Sequence, residues 1–348
     1  MNNGGNHLRS FNARSSWIGL ALVLVGALPA LCSQSYDGSR DQLPTELVER
    51  GSGIRFRLIS AQTFTMGCSL APKDCATTDL PAKPATIAAP FYIAETETSV
   101  QQFQRFVAAT KHRTAAEEIG AGATRVERLG GANITGDRAT NTATFKLGGL
   151  TPGVYVYEFQ KGLTWREPGF EQGLDHPVVF VSSTDGEAFC RWLGGSLPTE
   201  MQWEAAARAG GTSQFPRGRE LSHEDANYGA KNCCRPAAKG RDQWKFTAPV
   251  GSFPPNLYGL FDMVGNVSEW TLDSVRVADP ATKEPRADST LVYRDGSYLD
   301  PESGVRLSSR NWADRETPRG DLGFRCVLPA SGVLLDGSGG ASTGAKPR

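Results

Sequence analysis

Residues 248–270 are so rich in turn-forming residues that they constrain the fold more than any other part of the chain. The prolines and glycines of this segment exclude a helix, and they interrupt it too often for a long strand. The segment also brings Asp262, Gly265, Val267 and Glu269 together along one short loop. Alternating carboxylate and main-chain oxygens on a glycine-containing loop are typical of a site for a hard cation such as calcium. Taken alone, however, the segment is better explained as a turn whose acidic residues bind no metal.

The composition indicates a loop-rich domain without a strong charge preference. The chain has 348 residues, which is enough for one large domain or two small ones. Its 39 glycines favour many tight turns over a helical bundle. Basic and acidic residues are equal at 37 each, so nothing indicates a nucleic acid or an anionic membrane surface as partner.

The N-terminus is predicted to be an export signal. Arg9 and Arg14 precede an apolar run at residues 17–31, which is shorter than the ~20 residues of a membrane span but suits a signal peptide. We therefore interpret residues 1–32 as a signal peptide or N-terminal anchor, which would be the only membrane contact. Cys32 raises a lipoprotein as an alternative, although the leucine before it is unfavourable for lipidation. The predicted location is periplasmic or secreted.

The rest of the chain is predicted to be one α+β domain between a linker and a tail. Short strands, few helices and much coil are expected. Ser99 is a suitable N-cap for the amphipathic pattern of residues 100–110. The boundaries are a linker at residues 33–53, the domain at 54–330 and a disordered tail at 331–348. Within the domain, helices are predicted at 185–193 and 200–209, and a strand at 154–159 inside an irregular insertion at 111–174.

Several short motifs, in this order, resemble one known family. They are Phe64–Gly67, residues 90–106, Asp175–Trp192, Leu197–Gly210, Ala226–Gly229 and Gly323–Cys326. Together they resemble the formylglycine-generating enzyme, or sulfatase-modifying factor, family over most of residues 54–328. The resemblance implies the C-type-lectin-like variant of the α+β architecture.

Seven cysteines in an exported chain are expected to be mostly in disulfides. Cys68 and Cys75 close a short loop. Cys190 and Cys326 lie in the two blocks that are bridged in the formylglycine-generating enzymes, so the resemblance implies a second disulfide between them. The pairing of the adjacent Cys233–Cys234 remains open.

The resemblance also implies two sites for structural calcium. The first would be formed by Asn227, Tyr228, Asp242 and Trp244. The second would be formed by Asp262, Gly265, Val267 and Glu269. Capped turns without metal are the alternative at both places.

The catalytic machinery of the resembled family is not matched. Members bind copper(I) through two cysteines, because thiolates and copper(I) are both soft. In this chain the corresponding positions hold Asp300 and about Val305, and Ser268 replaces the neighbouring tryptophan. No copper is therefore expected. The four histidines, His7, His112, His176 and His223, are scattered, so the sequence does not indicate an iron site either.

The resemblance places a group of polar residues near the substrate groove. They are Ser268, Ser297, Asp300, Glu302, Arg306, Arg310, Asn311 and Trp312. Two alternatives remain open for the arginines: they bind a carboxylate or phosphate, or they fix loops through Asp314, Glu316 or Asp321. Trp312 is suited to stacking on a flat or sugar ligand.

Two functions follow from this comparison. The first is an exported accessory or ligand-binding protein without oxidase activity, whose partner is an unknown protein or small molecule. The alternative is a metal-dependent oxidoreductase of non-standard type, similar to relatives that act in siderophore maturation. Whether the chain is an enzyme is therefore uncertain.

Overall fold

The computed structural model describes residues 43–71, 74–76, 78–126, 156–218, 220–229, 239–276, 290–335 and 341–343. The predicted export signal and Cys233–Cys234 lie outside these residues. In the described part, four short α-helices and short strands in several small sheets form a loop-rich α+β fold, as predicted. None of the described helices has the length and apolar character needed to cross a bilayer.

Two four-stranded sheets carry most of the regular structure. The first has the order β1-β2-β5-β12, and all its neighbours are antiparallel. Its strands are Glu46–Val48, Arg55–Ile59, Phe91–Ala94 and Val327–Pro329. The second has the order β10-β9-β8-β11, in which only the β11–β8 pair is parallel. Its strands are β8 Ser268–Ser274, β9 Thr290–Arg294, β10 Arg310–Asp314 and β11 Leu322–Gly323.

Three two-stranded sheets complete the described strands. They pair β3 (Gln62–Met66) with β4 (Lys83–Ile87), β6 (Ala121–Val126) with β7 (Val156–Lys161), and β13 (Val333–Leu335) with β14 (Ala341–Thr343). The strand predicted at residues 154–159 corresponds to β7. Its partner β6 was not predicted from the sequence.

The structure extends regular elements into both predicted flanking segments. Leu47 of β1 is buried against the first sheet, so residues 46–48 belong to the domain and not to the linker. Two short strands, β13 and β14, pair within the predicted tail. Both differences arise because a three-residue strand is too short to leave a clear periodic signal in the sequence.

Each of the four described α-helices begins after a Ser or Thr N-cap that forms a complete capping box. The N-cap side chain accepts a hydrogen bond from the backbone amide of the third helical residue, and the side chain of that residue accepts one from the N-cap amide. The helices are α1 Val100–Thr110, α2 Ala115–Ile119, α3 Ser183–Trp192 and α4 Glu200–Arg208. The prediction for α1 with Ser99 as its N-cap is confirmed. Helix α3 begins two residues earlier than predicted, and α2 was missed inside the segment interpreted as irregular.

The core is built on aromatic rings and on a long-range disulfide. Phe103, Phe189 and Phe324 are fully buried, with ring centroids 5.4–6.3 Å apart. Beside them, Cys190 of α3 is bonded to Cys326, which directly precedes β12. Both predicted disulfides are therefore present, the other being Cys68–Cys75. This core holds α1 and α3 against the sheets and so fixes the frame from which the loops of the candidate site extend.

Candidate functional site

The candidate site lies where β8 begins and β9 ends, and where the chain continues into residues 295–309. Asp300, which the resemblance in sequence aligns with the first copper-binding cysteine, is bound by an arginine from a distant strand. Arg125 of β6 donates from Nη1 and Nη2 to the two carboxylate oxygens of Asp300, at 2.7 and 3.1 Å. Ser297 donates to the same carboxylate from its amide and its hydroxyl, at 2.8 and 2.9 Å. The Asp300 side chain is only 5% exposed, so this carboxylate belongs to the protein interior.

A second carboxylate, Asp321, completes a buried ionic network. It accepts from Arg125 at 2.6 Å, from Tyr157 Oη at 2.9 Å and from two nitrogens of Arg319 at 2.9 Å each. Burial raises the pKa of Asp321, but Arg319 and Arg125 outweigh burial and hold this pKa well below its usual range. Two arginines and two carboxylates are therefore joined in one buried network around Asp300.

The other two substituted positions are also buried. Val305 and Ser268 are both 0% exposed, and among the described residues the Ser268 hydroxyl has no hydrogen-bond partner. In the part of the chain that the structure describes, every cysteine is in a disulfide. These residues do not fit copper(I), because a carboxylate and an isopropyl group offer no soft donor.

The two candidate arginines are bound inside the protein. Arg306 donates to Asp79 at 2.9 Å and to the Asp74 carbonyl at 2.7 Å. Arg310 donates to both carboxylate oxygens of Glu200, at 2.6 and 3.0 Å. The sequence-based assignment of their loop-fixing partners to Asp314, Glu316 or Asp321 is therefore wrong, because Arg306 binds Asp79 and Arg310 binds Glu200.

The remaining groove candidates are more accessible. Glu302 is exposed in a short 3-10 helix, Glu302–Gly304. Asn311 and Trp312 are half-buried on β10, and the guanidinium carbon of Arg310 lies 6.0 Å from the Trp312 ring centroid. Of the predicted groove residues, Asp300, Arg306 and Arg310 are thus bound in ion pairs, whereas Glu302 is exposed.

The four residues of the first predicted calcium site lie on two neighbouring loops: Asn227, Tyr228, Asp242 and Trp244. Asn227 is buried, its Nδ2 donates to the Phe246 carbonyl at 2.7 Å, and its Oδ1 has no partner. Asp242 is fully buried and accepts from His223 Nδ1 at 3.1 Å and from the Trp244 amide at 3.3 Å. Burial raises the pKa of Asp242 to about 6. An unpartnered amide oxygen and a buried carboxylate on adjoining loops are suitable donors for calcium.

The second predicted calcium site is less suitable, because protein donors already bind its main carboxylate. Glu269 accepts from Arg325 at 2.6–2.9 Å and from Trp203 Nε1 at 2.7 Å. Asp262 accepts from the Gly251 amide at 2.6 Å, and burial raises the pKa of Asp262 to about 6. In the same loop, Gly265 has a φ of 79° and Val267 is fully buried.

One buried acid in this region was not found from the sequence. Asp295 directly follows β9, is 0% exposed, and neither of its carboxylate oxygens has a hydrogen-bond partner. Burial raises the pKa of Asp295 well above its usual value, and the nearby Glu269 and Asp300 raise it further. The amides of Gly296 and Gly265 oppose this rise, but neither makes a hydrogen bond of normal geometry with the carboxylate. The only sequence signal was an aspartate directly before the Gly296-Ser297 turn.

Comparison with known proteins agrees with the resemblance in sequence. The profile of the "Sulfatase-modifying factor enzyme 1-like domain" matches residues 48–330. The formylglycine-generating enzyme of Bos taurus is 32% identical over 319 residues, which cover 86% of this chain and 79% of that protein. The enzyme of Streptomyces coelicolor is 34% identical and the match covers 72% and 81% of the two chains. The inactive C-alpha-formylglycine-generating enzyme 2 of Bos taurus is 32% identical, and the match covers 69% and 78%.

Solved structures show the same fold. PvdO from Pseudomonas aeruginosa has a TM-score of 0.57 at 24% identity, covering 82% of this chain and 98% of that chain. Treponema denticola variable protein 1 has a TM-score of 0.51 at 18% identity, covering 82% and 99%. At these identities the likeness concerns the fold alone. The match over residues 48–330 and the identities with the enzymes show that this chain belongs to the sulfatase-modifying factor, or formylglycine-generating enzyme, family.

Proposed function

We propose that this chain is an exported accessory or ligand-binding member of its family, without formylglycine-generating oxidase activity and with structural calcium. The observation that carries the proposal is the state of Asp300. A copper(I) site requires soft ligands that are free to bind the metal. Here a hard carboxylate takes the first ligand position, and both its oxygens are bound by Arg125.

The buried network explains why simple rearrangement would not restore metal binding. Releasing Asp300 for a metal would take a carboxylate partner from the buried Arg125, and Asp321, its other described carboxylate partner, is shared with Arg319 and Tyr157. Unpairing a buried charge is strongly unfavourable. The network therefore opposes the movement that a metal at this position would require. A relative named as an inactive formylglycine-generating enzyme provides a precedent within the family for loss of the reaction.

Calcium and export are supported by separate observations. The unpartnered Oδ1 of Asn227 near the buried Asp242 favours calcium at the first predicted site. When bound there, calcium would connect two loops and thus stabilise a domain with little regular structure. Two disulfides favour an oxidising compartment, in agreement with the predicted export signal.

The decisive experiment offers the purified protein a peptide with the sulfatase motif Cys-x-Pro-x-Arg, together with copper and a reductant. We expect no conversion of the cysteine to formylglycine by mass spectrometry. The Streptomyces coelicolor enzyme under the same conditions is the positive control. Aldehyde formation above a control without protein would overturn the proposal, because it would require another set of residues to perform the oxidation.

Elemental analysis of the purified protein tests the same proposal independently. We expect bound calcium and only traces of copper and iron. Stoichiometric copper or iron would instead favour a metal-dependent oxidoreductase of this family. Because the measurement needs no substrate, it also tests for chemistry on compounds other than sulfatase peptides.

A further inference from the structure

A cleft of about 410 Å³ lies between α1, α2 and the segment that follows β7. Its polar lining includes Lys111, His112, Arg113, Glu117 and Arg166. Volumes of about 300–1,000 Å³ are typical of sites that bind small molecules. None of the lining residues belongs to the predicted groove or to either predicted calcium site, so the cleft is a separate candidate site.

The cleft carries an excess of positive charge. Lys111, Arg113 and Arg166 are exposed cations, whereas Glu117 is the only acid among the described lining residues. This leaves two uncompensated positive charges in a chain whose formal net charge is zero. Among the described residues only Arg166 of these three cations forms an ion pair, with Glu117 at 3.1 Å. The cleft is therefore complementary to an anion with two negative charges.

Arg166 is fixed on one side of the cleft by two contacts. Its Nε donates to Glu117 Oε1 at 3.1 Å, and its guanidinium carbon lies 4.0 Å from the centroid of the buried Trp165 ring. Glu117 is itself held by the capping box of α2. A side chain that is already positioned loses less conformational freedom when a ligand binds.

His112 is fixed on the opposite side by a buried carboxylate. Its Nε2 lies 2.7 Å from Asp185 Oδ1, and the Asp185 side chain is only 3% exposed. Because a carboxylate is an acceptor, Nε2 carries the hydrogen of this bond. The other ring nitrogen, Nδ1, makes no hydrogen bond with the described residues, so it is available to a ligand.

The remaining wall of the cleft is apolar. Val107 and Ala108 of α1 line it, and the His112 ring packs against Phe106 with the ring centroids 5.1 Å apart. A bare inorganic anion would leave this wall in contact with water only. A ligand with a carbon skeleton would cover it and gain from the loss of apolar surface.

We propose that this cleft binds a small organic dianion, of the phosphate monoester or dicarboxylate class. Lys111, Arg113 and Arg166 neutralise its charges, and Val107 and Ala108 contact its carbon skeleton. The proposal goes beyond the function proposed above. It uses neither Asp300 nor calcium, so it would survive the discovery of oxidase activity and fails separately from that question.

The test measures binding of phenyl phosphate, phthalate and benzoate to the full chain by isothermal titration calorimetry. The three probes share a ring, but at about pH 7.5 only the first two carry two negative charges. We expect at least one dianion to bind about tenfold more tightly than benzoate, because its second charge pairs with another cation. Binding of only one of the two dianions identifies the ligand class.

Three variants separate the cleft from general charge effects. The double variant Lys111→Asn with Arg113→Gln should bind the dianion about tenfold more weakly. Asparagine suits the φ of 60° at position 111. Glu117→Gln should bind about threefold more tightly, since glutamine keeps the capping box but removes the competing charge. Lys83→Gln, which removes an exposed charge from β4 outside the cleft, should leave the affinity unchanged.

The comparison also defines the results that would overturn the proposal. They are equal affinities in the double variant and in Lys83→Gln, benzoate binding as tightly as both dianions, or no binding of either dianion up to about 10 mM. Weaker binding by a folded Glu117→Gln would contradict it as well. If the double variant does not fold, as judged by its melting temperature, Glu117→Gln beside Lys83→Gln decides the question.

Discussion

Replacing Asp300 with asparagine should destabilise the protein although it preserves the shape of the side chain. The wild-type network contains two carboxylates, Asp300 and Asp321, and two arginines, Arg125 and Arg319. Asparagine at position 300 would remove one of the two described carboxylates that bind the buried guanidinium groups of Arg125 and Arg319. The buried Arg125 would then lose one of its two described ion-pair partners.

The size of the effect follows from the contacts that remain. Leaving a buried ion without its partner costs about 3–5 kcal/mol. Arg125 keeps its 2.6 Å contact with Asp321, so we expect the lower end of this range, about 3 kcal/mol. For a domain of this size, that corresponds to a fall in melting temperature of about 6 °C.

The assay is thermal and urea unfolding of Asp300→Asn beside a matched control, Glu302→Ala. Glu302 is an exposed acid two residues away, and its removal should change the free energy of unfolding by less than about 0.5 kcal/mol. A double-mutant cycle with Arg125→Met and Asp300→Leu then measures the coupling. We expect the double variant to be about 2 kcal/mol more stable than the sum of the single effects predicts.

Two results would refute this reasoning. One is a melting temperature for Asp300→Asn within about 2 °C of the wild type, which corresponds to about 1 kcal/mol or less. The other is strictly additive behaviour in the cycle. Either would mean that Arg125 does not hold Asp300 in solution, and the main argument against a ligand role for Asp300 would be lost.

Three further predictions concern other parts of the network and the core. Replacing both Cys190 and Cys326 with serine should lower the free energy of unfolding by about 4–5 kcal/mol, because the disulfide spans 136 residues; urea unfolding with and without reductant measures this, and an unchanged midpoint would contradict it. Glu269→Ala should lower the melting temperature by about 6–10 °C equally in calcium and in chelator, since the loss comes from an unpaired Arg325; a loss confined to calcium would contradict this cause. The pKa of Asp321 is lower in the folded than in the unfolded state, so its ionic stabilisation is present above about pH 4 and is lost as the pH falls. The difference in melting temperature between wild type and Asp321→Asn should therefore shrink from pH 5 to pH 2, and a constant difference would refute the assignment.

The sequence was sufficient for the fold because the relevant signals are local. Capping boxes join residues three positions apart, so they can be recognised without knowledge of the tertiary structure. Ser99 marks the start of α1 in this way, and Thr199 marks the start of α4. The motif order predicts the family, and the cysteine blocks within it predict the Cys190–Cys326 disulfide. The absence of thiols at Asp300 and Val305 can likewise be read directly from the sequence.

The candidate site was less predictable because its contacts join distant parts of the chain. Arg125 and Asp300 are 175 residues apart, and Arg125 lies in a segment that the sequence indicates only as an irregular insertion. Arg306 and Arg310 bind Asp79 and Glu200 and not the acids near them in sequence. Short-range charge patterns cannot choose among such partners, since a buried ion pair forms only where the fold brings two groups together away from water.

The sequence by itself thus determined the family, the α+β class, the starts of α1 and α4, and both described disulfides. Only the tertiary structure decided that Asp300 is held by Arg125, that Glu269 is held by Arg325, and that Asp295 has no hydrogen-bond partner among the described residues. The physical reason is that residue types and local spacing specify what a side chain is able to bind, whereas burial and geometry decide which group it meets.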